Sequence, residues 1–493
     1  SGLRIDPNEW DGAVLLLDEI AQGIEHLLFG TGTAVANHRP LTMATTAELL
    51  RSCRQAVAMD AQLSDPVLRL LETLAGERFH LLQSAHRPMA GRSVVIPQGL
   101  TARTAAERGR GHVLQLAKAR KRVLVVTTAQ QAHTKGSAQN LAALVRRHWS
   151  DARVLVVDSE NPGAAERLGA DPNGVAAAHD WIIASPSITS GLSIDQLGLF
   201  AETIVIGAGG RLTCEHLAQA AARVRDPRCP VTIYAPAVAP QLRISSGATS
   251  TAELLHYLAS CEARLLADLV GAAGWHPSAT NESPWLRCWL ELAAHRNRQS
   301  FAYSTTIAAL LEAEGWTVSD EVATDPVAIA MASVDLADIT QKAIETADAT
   351  VIEAPRISDK KAAERREKQR RTPEETAQLK RHRVAQRWGL GDEPPTPELL
   401  AADREGLNNR LRFDWILQDP SFRQLAAEHD RRRSAALTTH GAWAPDLVRE
   451  LMGHKLAAAD ALGIPAWLRR REWIDGAELE RDWHLLEQPR NLV

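Results

Sequence analysis

The sequence predicts an α/β fold, in which parallel sheets covered by helices are followed by a mostly helical region. Three observations predict it. Short β-branched runs bounded by turn residues recur through the first 245 residues, and segments of helical period lie between most of them. Beyond "PQLRISSGATST" long apolar-periodic stretches replace the strands. Strand and helix in alternation imply parallel sheets with helices on their faces.

The expected strands are, in order, "AVLLL", "QAVAMD", "RFHLLQS", "RSVVIPQG", "KRVLVVTT", "ARVLVVDS", "DWIIASPSI", "ETIVIGA" and "PVTIYAPA". Between them "SAQNLAALVRRHW" places apolar residues at three- and four-residue steps, as an amphipathic helix requires. The later stretches "AELLHYLASCEARLLADLVGAA" and "PWLRCWLELAAHRNRQS" read as helices, and ten of the thirteen tryptophans lie beyond residue 250. Residues 359–387 carry eleven Lys or Arg against five Asp or Glu. That run reads as a solvated helix laced with i,i+4 ion pairs, with a phosphate-contacting arm as the rival reading. "GDEPPTP" reads as a linker to a last helical piece, 397–493, and no internal repeat is visible.

At 493 residues the chain is too long for one core, and roughly 150 residues per domain suggests about three domains. A net charge of −4 excludes a uniformly basic surface while permitting local basic patches. The five cysteines, Cys53, Cys214, Cys229, Cys261 and Cys288, form no C-x-x-C pair and have no histidine at zinc spacing, so they read as free thiols of a reducing cytoplasm. No apolar run approaches the roughly 20 residues that span a bilayer, and "SGLRIDPNEW" is not a secretory leader. A cytoplasmic protein with no membrane partner is expected.

Three stretches carry chemistry. In "AVLLLDEIAQ", Asp18 and Glu19 stand where an apolar strand meets a helix start, and Gln22 completes D-E-x-x-Q. In nucleoside triphosphatases a strand ending in Asp-Glu puts the first carboxylate beside Mg²⁺ while the second orients or deprotonates the attacking water; any buried strand can equally end in a solvated Asp-Glu. In "SPSITSGLSID", 185–195, small hydroxyl residues around a glycine let backbone approach a phosphate or sugar, or simply make a turn. In "LAQAAARVRDP", Gln219, Arg223 and Arg225 fall on one expected helix ended by Pro227, with Gln219 and Arg223 on one face. Arginine there can stabilise charge on a transferring phosphoryl group; a surface salt-bridge helix is the plain alternative. Asp-Glu-x-x-Gln, then "AVAMDAQLSD", "RVLVVTT", "TSGLSID" and Gln-x-x-x-Arg-x-Arg follow the running order of superfamily-two helicase motifs.

On these residues the chain resembles the cyanobacterial-type plasmid replication proteins, whose helicase core is similar to that of herpesvirus-type origin-binding proteins. "LLLDEIAQGIEHLL" with "TGTA", "AVAMDAQLSD", "SPSITSGLSID" and "QAAARVR" resemble that family's second, third, fifth and sixth helicase motifs; "LRCWLELAAHRN" and "TTIAALLEAEGW" are similar less distinctively. The resemblance implies two RecA-like lobes, the first incomplete at 1–90 and the second at 91–245, then a helical domain at 250–350, a charged helix and linker at 351–396, and a C-terminal helical region at 397–493. It implies that Asp18 and Glu19 are the Mg²⁺ and water-activating carboxylates and that Gln22 links nucleotide state to the interlobe cleft. Asp60 and Asp65 in "DAQLSD" would couple hydrolysis to strand movement. Thr127, Ser187, Thr189, Ser190, Gly191 and Asp195 would meet the nucleic-acid backbone or the nucleotide, and Gln219, Arg223 and Arg225 would reach across to the phosphates, with either arginine as the finger.

Two departures stand out. Ala222 occupies the place where the motif-six pattern has glycine, and no G-x-x-x-x-G-K-[ST] phosphate loop exists in the sequence. In the family that loop precedes Asp-Glu, so the chain reads as beginning inside the first lobe. The leading expectation is the major part of an ATP- and Mg²⁺-dependent DNA helicase of plasmid replication. Its partners would be single-stranded or origin DNA and other replication proteins, at the nucleoid or plasmid, and this chain alone is not expected to be a competent ATPase. The alternatives are a non-catalytic DNA-binding or scaffold fragment, and an α/β enzyme using the Asp-Glu pair for another reaction.

Overall fold

A computed structural model describes residues 6–30, 35, 38–129, 134–158, 161–185, 192–210, 212–269, 283–321, 324–368 and 371–439, with scattered positions from 445 to 466. They form two parallel sheets followed by a helical C-terminal region, the expected fold class.

The first lobe runs β1 (Val14–Asp18), α1 (Ile20–Phe29), α2 (Arg39–Ser52), β2 (Gln55–Met59) and α3 (Asp65–Ala75). β1 and β2 pair in parallel, Val14 opposite Gln55 and Asp18 opposite Met59. Parallel strands end on the same edge, so Asp18 and the next residue of the partner strand, Asp60, arrive together. "AVLLL" is not buried on both sides: Val14 and Leu16 are exposed while Leu15 and Leu17 pack on the core. "RFHLLQS" is no strand. Its backbone has no strand neighbour among the described residues, and Leu82 is 95% exposed; β-propensity without a pairing partner does not make a strand.

The second lobe runs β3 (Ser93–Val95), α4 (Ala102–Lys118), β4 (Val123–Thr127), α5 (Ala138–His148), β5 (Val154–Val157), α6 (Pro162–Ala170), α7 (Pro172–Ala178), β6 (Trp181–Ala184), β7 (Glu202–Ile206), α8 (Cys214–Ala221) and β8 (Val231–Tyr234). The sheet order is β5-β6-β4-β7-β8-β3-β9, where β9 is the later strand Thr317–Ser319, and every pair is parallel. β4, β6 and β8 are buried along their whole length, which is why they read as unbroken apolar runs.

Beyond residue 250 come α9 (Thr251–Leu269), α10 (Pro284–Phe301), α11 (Tyr303–Ala313), β9 (Thr317–Ser319) and α12 (Pro326–Glu353). This stretch shares its cores with both lobes. Trp285, Trp289 and Ala293 of α10 pack with Ile24, Leu28 and Leu71 of the first lobe. Tyr303, Ile307 and Leu311 of α11 pack with Leu217, Ala218 and Ile233 of the second, while Ala332 and Leu336 of α12 lie against Val113 and Leu141. The unexpected strand β9 closes the edge beside β3, with Val94 opposite Val318.

α13 (Asp359–Glu367), α14 (Pro373–Trp388), α15 (Pro397–Arg404), α16 (Leu407–Gln418) and α17 (Pro420–Thr439) complete the described chain. The basic run is two helices, and its ion pairs are tertiary rather than i,i+4: Arg365 and Lys368 meet Glu375, and Arg387 meets Asp403. "GDEPPTP" is a short turn inside a packed unit, because Leu400 beyond it shares a core with Val351, Ala377 and Val384. Cys53, Cys214, Cys229 and Cys288 are free thiols. Among the described residues no helix is long and apolar enough to cross a membrane.

Candidate functional site

The site begins at the turn between β1 and α1. Glu19 has φ 49° and ψ 43°, the left-handed region that costs a residue with a Cβ energy. This lets α1 start directly after the strand, with Asp18 and Glu19 at its mouth. Asp18 Oδ1 accepts the Glu19 amide at 3.1 Å. Asp60 secures the turn from the neighbouring strand, Oδ2 accepting from Ala21 N and Oδ1 from Gln62 N, both at 2.8 Å. One carboxylate thereby satisfies an amide of the first helical turn that has no intrahelical partner. At the other end of α1, the buried Arg39 donates from Nε to Leu27 O at 2.6 Å and from Nη2 to Gly30 O.

A cavity of about 560 Å³ opens at this turn. Asp18, Glu19, Gln22, Glu25, His26 and Phe29 line it from the first lobe, and His216 comes from α8 of the second. Arg296 of α10 closes the third side. Its guanidinium lies 4.2 Å from the Phe29 ring centroid and 2.5 Å from Glu25 Oε2. The His216 ring is held by Thr213, whose hydroxyl lies 2.9 Å from Nδ1.

The arginine segment follows α8, which carries His216. Contrary to the sequence expectation, Gln219 and Arg223 are not on one helix: α8 ends at Ala221, and Val224 forms a parallel bridge with Ile194. Arg223 and Arg225 flank the buried Val224. Arg223 Nη1 donates to Leu192 O at 3.1 Å. Arg225 Nε donates to Ser193 Oγ at 3.1 Å, and that hydroxyl donates on to Asp195 Oδ1 at 2.7 Å. Burial pulls the Arg223 guanidinium below its ordinary value, the Glu19 carboxylate pushes it back up, and Arg225 adds to the lowering. Gln219, Arg223 and Arg225 do not line the cavity itself.

The remaining expected residues fall elsewhere. Thr127 is buried, its hydroxyl donating to Gly136 O at 2.8 Å, so it shapes its own loop rather than presenting a surface. Asp65 is exposed in the first turn of α3, where its charge suits the helix dipole, and does not line the cavity. Ser187, Thr189, Ser190 and Gly191 lie outside the described residues. His216, Glu25, Phe29 and Arg296 escaped the sequence reading; nothing local marks them, since only packing between distant segments brings them to the cavity. Among the described residues no group of three or more His, Cys, Asp or Glu could hold a metal ion. Asp18 and Glu19 suit Mg²⁺, which takes one or two carboxylates and completes its shell with water and phosphate oxygens.

No protein-family model matches the chain. An uncharacterized protein of Picosynechococcus sp. is 26% identical over 489 residues, covering 96% of this chain and 48% of that protein. The chain thus spans about half the length of that relative. Two structures of Dbp5 from S. cerevisiae bound to RNA and ADP BeF3, one of a variant, align at 12% identity with a TM-score of 0.31, over 45% of this chain and 52% of theirs.

Proposed function

We propose that the cleft takes ATP with Mg²⁺, and that the chain is the major part of an ATP-driven DNA helicase of plasmid replication. The observation supporting this reading is the cavity at the β1–α1 turn, which Asp18, Glu19 and Gln22 of the first lobe line together with His216 of the second. Asp18 and Glu19 would hold a hydrated Mg²⁺ at the cavity mouth, and Gln22, in the first turn of α1, would link nucleotide state to the cleft. The metal-bound triphosphate supplies the scissile phosphoryl bond. Glu19 orients and deprotonates the attacking water. Either Arg223 or Arg225, held by Leu192 O and Ser193 Oγ respectively, would meet the phosphoryl oxygens. Asp60, gripping the first turn of α1, transmits displacement of that turn to β2. Single-stranded DNA would run past Asp195.

The alternative is a non-catalytic DNA-binding or scaffold fragment, in which the β- and γ-phosphates lack the cradle that the amides and lysine of a phosphate loop provide. Joining this chain to an upstream phosphate-loop segment distinguishes the two. The helicase reading expects DNA-stimulated ATP hydrolysis in the joined protein, lowered roughly 10²- to 10⁴-fold by Glu19→Gln and about 10³-fold or more by Arg223→Ala. Turnover indifferent to both substitutions overturns the assignment of the site; DNA binding with no turnover in either form supports the scaffold.

A further inference from the structure

Besides the exposed connection 80–88 between α3 and β3, two stretches of chain cross between the lobes side by side. In the first, Leu242 is in the core of the second lobe and Ile244 packs against the core of the first, so the crossing is at Arg243. In the second, α10 belongs to the first lobe through Trp285, Trp289 and Ala293, and α11 to the second through Tyr303, Ile307 and Leu311. Between these helices stands Ala302 alone, exposed and non-helical at φ −139° and ψ 50°. The crossings are fastened together: Arg243 lies 4.2 Å from the Phe301 ring centroid and donates from Nε to Ser300 Oγ at 3.2 Å, while Ala239 N donates to Ser300 O at 2.8 Å. A polar cluster bridges the joint, Glu215 of α8 pairing with His295 at 3.1 Å and accepting from Gln299, both on α10. The residues beside this pair, His216 and Arg296, line the cavity.

We infer that the lobes turn about a two-stranded hinge formed by Arg243 and Ala302, and that Glu215 is the positioning residue that latches it shut at the rim of the cavity. Each apolar half stays with its own lobe, since separating buried tryptophan or tyrosine costs more than exchanging a hydrogen-bonded carboxylate for water. Hinge motion is absorbed by a few element-terminal residues, and Arg243 and Ala302 are such positions. The inference deepens the nucleotide-cleft reading by naming what sets the cleft's width, yet it is tested without nucleotide, so either can fail alone.

The test is hydrogen exchange followed by mass spectrometry on the whole chain. Glu215→Ala should speed exchange about tenfold at the amides of Ala239 and Ala302, and Glu215→Gln should do so less, because an amide still accepts from Gln299. The interiors of α10, residues 286–294, and α11, residues 307–311, should keep their protection. Ala302→Gly, which loosens the joint without touching the latch, should raise exchange at the same two amides and serves if the Glu215 variants do not fold. Unchanged exchange at Ala239 and Ala302, or a uniform rise that includes both helix interiors, overturns the hinge.

Discussion

Glu19 carries both a chemical and a conformational burden. Its left-handed backbone is sustained by the turn that Asp60 fastens from the next strand. Glycine adopts that conformation without a Cβ penalty, so Glu19→Gly should raise stability by up to about 1 kcal/mol in urea unfolding while abolishing any water activation at the site. A loss of stability would mean that the carboxylate, not the backbone, holds the turn. Glu215 gives a pH signature. Burial opposes its ionisation, but His295, its own amide and Gln299 outweigh burial and bring it from an ordinary 4.5 down to about 2. Because the folded value is depressed, its contribution to stability is complete above about 4.5 and is lost as pH falls from there through about 2. Cys214 and Tyr303 also face this carboxylate, but burial raises both thiol and phenol, which stay neutral across that window. Acid unfolding of Glu215→Gln should be flatter than that of the parent between those pH values.

At the scale of elements, α10 is the piece whose role the sequence leaves most ambiguous. It reads as part of a helical unit beyond the sheets, yet Trp289, 2% exposed, packs with its ring tilted against Phe29, centroids 5.9 Å apart, in the core of the first lobe. Trp289→Ala should therefore cost about 3–5 kcal/mol, and proteolysis should show that loss in residues 12–75 rather than in the second sheet. The converse pattern would detach α10 from the first lobe. The basic helices α13 and α14 teach a similar lesson: charge counting leaves a phosphate-contacting arm open, while the observed partners of Arg365, Lys368 and Arg387 are carboxylates of the same unit.

For the whole molecule, the alternation of β-branched runs with amphipathic segments determines the parallel sheets, because periodicity is a local property that survives in any context. It also determines that Asp18 and Asp60 end up on one edge, since parallel strands put their carboxyl ends together. "RFHLLQS" and β9 were misread for one reason, that a short strand exists only if a neighbour takes its backbone groups, and neighbours are not local. Tertiary structure alone decided that α8 stops short of Arg223, and that His216 and Arg296 meet at the same cavity. These depend on how two lobes and α10 pack together, and packing is fixed by contacts between residues hundreds of positions apart, to which a local pattern is blind.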